Sequence, residues 1–307
     1  MNAVPVLASF HFWKRVDMTA LIDQHGGAPV VDLFADSGAF SAASSGVPID
    51  VLDYAAWLRK HAGVINFAAG LDVIGDAKAS AKNTKILEDE VGDVVKIVPT
   101  FHVGSDWKEL EAMAKTHDFI SLGGAVPYSS REAALTSWLA KAHKILAETG
   151  TVAHGFGLTR HPYPVLFPWY SVDSSYWTLA SRTGGFWAFD SARGKFVRLV
   201  TGRRLTAEQV KIVREYGGDP KAFTRKGFGL VGRTADKDQA RAENRWLRLA
   251  SASTWYRYQD YWRRLARPVD MPARVRHAGP KVYLAIGGRE DLGLAIRAAS
   301  HGISTAS

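Results

Sequence analysis

Short apolar runs recur along the chain, separated by amphipathic stretches. VPVLASF from Val4, VVDLF from Val30, VINFAAGLD from Val64, VVKIVPTF from Val94, DFISLGG from Asp118, TVAHGFG from Thr151 and PWYSVD from Pro168 have the length and β-branched or aromatic content of buried strands. Between them, segments such as 51–61 and 109–117 place apolar residues three and four apart, the spacing of one helix face. Strand and helix in alternation predict a parallel sheet covered on both faces. KVYLAIGG from Lys281 is the best candidate for an eighth strand, closing the sheet late in the chain. The expected fold is therefore α/β, a (β/α)8 TIM-like barrel with a basic helical insertion and C-terminal extension. A doubly wound open sheet is the alternative, but no GxGxxG follows the first strand. The expected divisions are 1–190 for the catalytic barrel core, 191–280 for a basic, largely helical, nucleic-acid-binding insertion, and 281–307 for the closing strand and helix.

The stretch 236–267 reads as one long helix, with Leu247, Ala250, Thr254, Tyr258, Tyr261 and Leu265 in a stripe and Trp255 and Trp262 beside it. That stripe is expected to pack against the barrel. Arg245, Arg248, Arg257, Arg263, Arg264 and Arg267, interleaved with the aromatics, are candidates for lining a nucleic-acid groove from the other face. The Gly-rich, basic stretch 201–233, with TRKGFG inside it, reads as flexible connections that order on a phosphate backbone.

Composition sharpens this. The 307 residues are 47% hydrophobic, enough for a large core, and contain no cysteine, which excludes disulfides, thiolate zinc sites and a cysteine nucleophile. No metal or other cofactor is expected. MNAVPVLASFHFWKR carries no charged leader before its apolar run, and no apolar stretch approaches the roughly 20 residues of a membrane span, so an intracellular, cytoplasmic protein is expected. Residues 191–280 hold 21 Lys and Arg against 8 Asp and Glu, a balance of +13 that leaves −4 for the rest of a chain whose net charge is +9. A basic segment attached to a mildly acidic body fits a polyanionic partner, most simply nucleic acid; a solvated Arg-rich surface is the plainer alternative.

Polar and glycine residues collect where the expected strands end: Asp36, Ser37 and Gly38 in ADSGAFSA, Asp72 and Asp76 in GLDVIGD, His102 in FHVGSD, Gly123 and Gly124 in SLGGAVPY, His154, Gly155 and Gly157 in HGFGL, and Asp173 in SVDSS. In a parallel barrel these ends share one cleft. Each residue also has a plain structural explanation: Asp173 as the N-cap of a following helix, Asp36 as a turn residue, Asp72 as a cap, the glycine pair as a tight bend.

Taken in order, these motifs resemble the tRNA-guanine transglycosylases, which exchange guanine in nucleic acid for a 7-deazaguanine. DSGAFS is similar to the family's DSGGFQ, GLDVIGD to its LDI segment, LGGAVPY to its GGLVP loop, HGFGLTRHPY to the stretch before its nucleophile, and SVDSSYWTLASRTGGFWAF to its LFDSAAYALYARDGRY, with order and spacing agreeing from Val4 to about Phe189. The family's three zinc cysteines are absent, the base-reading Gln is replaced by His102 or Val103, and no separate RNA-binding domain follows. A zinc-free chain of this kind looks most like the phage and bacterial DNA-guanine transglycosylases, the DpdA group.

The resemblance implies Asp173 as nucleophile, Asp36 as the proton-handling acid, and Asp72 as the acceptor for the N1–H and amino edge of guanine. It further implies Ser37, Gly38, Phe40, His102, Gly123, Gly124, His154 and Gly155 as substrate-binding, with Arg182, Arg203, Arg204, Arg225, Lys226 and Arg245 on the nucleic acid. The implied partners are DNA, with tRNA as the alternative, and a free 7-deazaguanine base; self-association into a homodimer is left open. A catalytically silent nucleic-acid-binding barrel and an ordinary sugar hydrolase are the competing readings.

Overall fold

The computed structural model describes residues 3–128, 130–233, 236–265 and 280–303. The strands in chain order are β1 Val4–Ser9, β2 Val31–Asp36, β3 Ile65–Ala69, β4 Lys96–Val98, β5 Thr100–His102, β6 Phe119–Gly123, β7 Val152–Gly155, β8 Trp169–Ser174, β9 Gly185–Asp190, β10 Lys195–Val200 and β11 Lys281–Ile286. The chain forms two compact units, Met1–Ser174 with Leu265–Arg289, and Ser175–Arg264 with Glu290–Ser307. The first break therefore falls at Ser175, ahead of the boundary at 190 expected from the charge shift, because the hairpin 185–200 joins the basic segment.

In the first unit all strand pairs are parallel and the sheet order is β4-β3-β2-β1-β11-β8-β7-β6-β5. β11 lies between β1 and β8, where the expected late strand would have to insert. The run from Val94 is two strands, not one. Pro99 has no N–H to donate and interrupts the ladder, yet its carbonyl accepts from Ser121 while that of Val98 accepts from Gly70. The two edges of the nine-stranded sheet are thus consecutive pieces of a single stretch, and the sheet curls into a nearly closed, barrel-like form.

Helices connect the strands and start where short polar side chains satisfy free backbone N–H groups. Asp50 caps Val51–Lys60, Asp76 caps Ala77–Val91 and Asp106 caps Trp107–Thr116. The first of these buries Tyr54, Ala55, Trp57 and Leu58, the three-and-four spacing read from sequence.

Period-two alternation sets what faces inward. Leu7, Phe34, Ala69, Val98, Phe119, Val152, Tyr170 and Tyr283 form one buried cluster drawn from eight strands. Phe34 to Phe119 (6.3 Å) and Phe67 to Tyr170 (5.8 Å) join strands that are not neighbours, so these contacts cross the interior and fill it. On β2, Phe34 of this plug is flanked by two acids of the same phase. Toward the strand's start, buried Asp32 accepts from Lys281 Nζ at 2.5 Å and from the Tyr283 hydroxyl at 3.1 Å. At its carboxyl end stands Asp36.

The second unit has its own core. β9 and β10 form an antiparallel hairpin, and Phe186, Leu199, Ile212, Val213, Tyr216, Phe223, Leu247 and Ala250 cluster beneath it. The stretch 201–233 is accordingly not a set of flexible connections. It contains the helix Ala207–Glu215, opened by a reciprocal Thr206–Gln209 capping box, and the short helix Pro220–Phe223 capped by Asp219. The long helix runs Lys237–Leu265. Its stripe residues Leu247 and Ala250 pack into this core, while Leu265, at the end of the expected stripe, is exposed. The helix Arg289–Ile303 follows β11, and its Glu290 and Asp291 pair with Arg248 of the long helix. No helix among the described residues is long and apolar enough to cross a membrane.

Candidate active site

Parallel strands place all their carboxyl ends on one side, and the register sets which residues meet there. Ser9 is the partner of Asp36 between β1 and β2, His102 of Gly123 between β5 and β6, and Tyr283 of Asp173 between β11 and β8. Tyr283 belongs to the interior cluster. Since paired residues in a sheet project to the same face, Asp173 does so too.

Asp173 is the penultimate residue of β8, not the cap of a helix. Its side chain is nearly buried, and Oδ1 accepts a 2.7 Å hydrogen bond from the Gly157 backbone N–H. Oδ2 accepts no hydrogen bond among the described residues. His154 Nε2 stands 3.5 Å from Oδ1, and its Nδ1 is 2.8 Å from the Ser171 hydroxyl. Burial pulls the imidazole's pKa down against the opposing pull of the Asp173 carboxylate, so the ring is neutral at pH 7. His154 is 0% exposed, packed against Phe34, Phe156 and Tyr283. Its Nε2 lies beside Asp173, and the side chain expected to bind substrate has no exposed surface. At Gly155 a Cβ would come within 2.9 Å of the Trp169 ring and 3.1 Å of Leu158.

Asp36 ends β2. Burial, opposed by the Gly38 backbone N–H and reinforced by the charges of Asp173 and Asp72, raises its carboxyl from 3.8 to about 6. Asp173 of β8 and Asp72 of the loop after β3 are therefore close enough for their charges to act on Asp36. The turn after Asp36 needs glycine: Gly38 has φ +81°, and a Cβ there would fall 2.3 Å from Ser9 Oγ and 2.5 Å from His11 Cβ. Ser37 is buried with its Oγ accepting from Ala39 N at 3.4 Å, and Phe40, 69% exposed, lies in the first turn of the helix Ala39–Ser45.

Asp72 follows β3 and is not the helix cap, a position Asp76 holds. Its Oδ2 lies 3.3 Å from His102 Nε2, and both side chains are partly exposed. Gly123 sits where a Cβ would press on Thr100 at 3.0 Å and on the His102 ring at 3.3 Å. Its smallness makes room for Thr100 and the His102 ring. Gly124 is exposed with φ +74°.

The expected nucleic-acid contacts divide into two groups. Arg225 pairs with Glu243, Arg245 and Arg248 pair with Glu290, and Arg257 lies 4.2 Å over the Tyr216 ring and donates to Glu215 O, so these cations serve the second unit itself. Arg263 is 3.9 Å from Asp260. Arg182, Arg203, Arg204, Lys226 and Arg264 are exposed and have no ion pair among the described residues. Arg267 lies outside the described residues.

The sequence pattern does not show the part that three residues of the site play. Gly157 reads only as a strand-end glycine, and Ser9 as strand. Tyr54 reads as helix core, but its hydroxyl is 3.1 Å from Ala69 O and 3.4 Å from Ala35 O, tying the ends of β2 and β3 together. Among the described residues no three His, Asp or Glu are grouped to hold a metal ion. Compared with protein-family models and with curated proteins, the chain matches none.

Proposed function

We propose that the chain is a guanine transglycosylase that exchanges guanine in DNA for a 7-deazaguanine by double displacement. The observation that carries this is the meeting of Asp36 and Asp173 at the carboxyl ends of β2 and β8, where burial and the Asp173 and Asp72 charges raise the Asp36 carboxyl to about 6. A carboxyl raised in this way beside a second acid suits acid–base work on a glycosidic bond. Counting 96–102 as one strand broken at Pro99 gives eight strands around the sheet, which supports a (β/α)8 barrel with its chemistry at the carboxyl face. The transglycosylase-like order of DSGAFS, LGGAVPY and HGFGLTRHPY supports the specific reaction.

In this reading Asp173 Oδ2 attacks C1′ of the target nucleotide. The C1′–N9 bond breaks, its electron pair leaves with guanine, and guanine takes the proton from Asp36. The incoming base then attacks C1′ through N9, the bond from C1′ to Asp173 breaks and restores the carboxylate, and Asp36 receives the N9 proton. The ester intermediate conserves the glycosidic bond energy, so the exchange runs without ATP. Asp72 accepts hydrogen bonds from the guanine edge, with His102 beside it. Arg182, Arg203, Arg204 and Lys226 attract the phosphates.

Incubation with labelled guanine and either duplex DNA or tRNA tests this directly. Label entering DNA supports the proposal, label entering tRNA replaces the substrate class, and release of guanine without incorporation replaces exchange with hydrolysis.

A further inference from the structure

β9 and β10 present two different faces. Phe186 and Ala188 on β9 and Leu199 on β10 point into the core of the second unit, so the alternating positions Trp187 and Arg198 point away from it. These two are cross-strand partners, which puts an indole and a guanidinium side by side. Trp187 is 38% exposed and Tyr176, on the same cleft, is 50% exposed. Arg198 and Val200 also line a second cleft of about 300 Å³, whose other walls include Arg203, Arg204 and Gln209. The two clefts adjoin at Arg198 and Val200, with Tyr176 and Trp187 on one side and Arg203 and Arg204 on the other; together they are called the groove.

The cations in this groove are unlike most others of the unit. Arg193, Arg225, Arg245 and Arg248 are neutralised by carboxylates. Arg198, Arg203 and Arg204 have no ion pair among the described residues, and no acid lines either cleft. Three guanidinium groups without counter-charge select a polyanion, and planar forks suit phosphate. Exposed aromatic rings beside them add a requirement for planar groups at the same spacing. An aromatic face can be used only by a base that has left its stack, which a duplex does not offer.

We propose that this groove binds a single-stranded segment of DNA, with bases stacked on Trp187 and Tyr176 and successive phosphates on Arg198, Arg203 and Arg204. The assignment takes its nucleic-acid partner from the proposed function, but the groove lies wholly in the second unit and can be tested without the exchange reaction.

Fluorescence anisotropy with a labelled DNA dodecamer, free of added base, reads binding alone. The wild-type chain is expected to bind the single strand at least about 10-fold more tightly than the same sequence as duplex. Trp187→Ala should weaken single-strand binding by about 10-fold with an unchanged salt slope, and Trp187→Phe should restore most of it. The double variant Arg203→Ala, Arg204→Ala should weaken binding and lower the log–log salt slope by about 1.4. Lys211→Ala, a charge removed outside the groove, should do little. If Trp187→Ala and the arginine double variant behave like Lys211→Ala, if duplex binds as tightly as single strand, or if RNA or polyglutamate binds more tightly, the proposal falls. Exchange measured on the same proteins separates the two ideas. Groove effects without any wild-type exchange overturn the transglycosylase reading alone, and exchange with an inert groove overturns this inference alone.

Discussion

The Gly157 backbone N–H donates a 2.7 Å hydrogen bond to Oδ1 of Asp173, tying the loop after β7 to the end of β8. That bond fixes one carboxylate oxygen and leaves the other to react. Asp173→Asn keeps an oxygen that can accept from Gly157, so the fold should survive with a loss of about 1 kcal/mol or less. Exchange should drop by at least about 1,000-fold, since an amide does not capture C1′. Thermal melting beside incorporation of labelled guanine checks both halves, and near-normal turnover in Asp173→Asn would remove Asp173 as the nucleophile.

Asp36 gives the pH dependence its sign. The native carboxyl keeps its proton up to about 6, while the unfolded one releases it near 3.8, so between those values the folded state binds more protons. Stability contributed by this group is therefore present at low pH and lost as pH rises through about 6, amounting to about 2 to 3 kcal/mol. Asp36→Asn should accordingly be more stable than wild type at pH 8, and the gain should vanish near pH 4. Catalytically, loss of guanine needs the acid and should slow above pH 6, whereas attack by the incoming base needs the carboxylate and should slow below it. Chemical denaturation at the two pH values and single-turnover rates of the separate half-reactions test this; an Asp36→Asn variant whose gain over wild type is no larger at pH 8 than at pH 4 would contradict it.

Much of this arrangement is legible in the chain because it is local. Apolar runs bounded by Gly and Asp mark strands whose ends collect, and the caps at Asp50, Asp76 and Asp106 satisfy backbone groups within three residues of themselves. What period alone does not carry is partnership across distance. His154 looks like a ligand-facing residue in HGFGL, but inward phase and the ring of Phe34 bury it completely. Arg245 and Arg248 look like part of a binding stripe, and nothing local shows that Glu290, 45 residues beyond Arg245, pairs with both. The stretch 201–233 reads as loop because its glycines and basic residues outweigh Ile212, Val213, Phe223 and Phe228, whose core function shows only when Leu247 packs on them.

Lys281 and Asp32 form a pair away from the site. Asp32 is 3% exposed and holds both Lys281 Nζ and the Tyr283 hydroxyl. Lys281→Met should leave a buried carboxylate without its counter-charge and cost about 3 to 5 kcal/mol. The double change Lys281→Met, Asp32→Asn should recover much of that loss. Exchange measured well below the melting transition should stay within about threefold of wild type, because Phe34 separates this pair from Asp36 along the inward face of β2. A large activity loss in a protein of wild-type melting behaviour would mean that the pair acts on the site.

Gly38→Ala tests whether the turn after Asp36 is needed as built. The left-handed backbone at φ +81° costs an L-residue about 1 to 2 kcal/mol, and the new Cβ would collide with Ser9 Oγ at 2.3 Å and His11 Cβ at 2.5 Å. Ser9 Oγ can rotate away, but His11 Cβ moves only with the backbone, so a total loss of about 2 to 4 kcal/mol is expected. Relief of the clash must shift the backbone between Asp36 and Ala39, and with it the Gly38 N–H that holds Asp36 below the value burial alone would impose. The acid should then titrate above its wild-type position, moving the pH at which guanine release begins to slow upward while single-strand binding at the hairpin stays unchanged. A Gly38→Ala variant with wild-type melting and an unmoved pH profile would show that this turn does not set the acid.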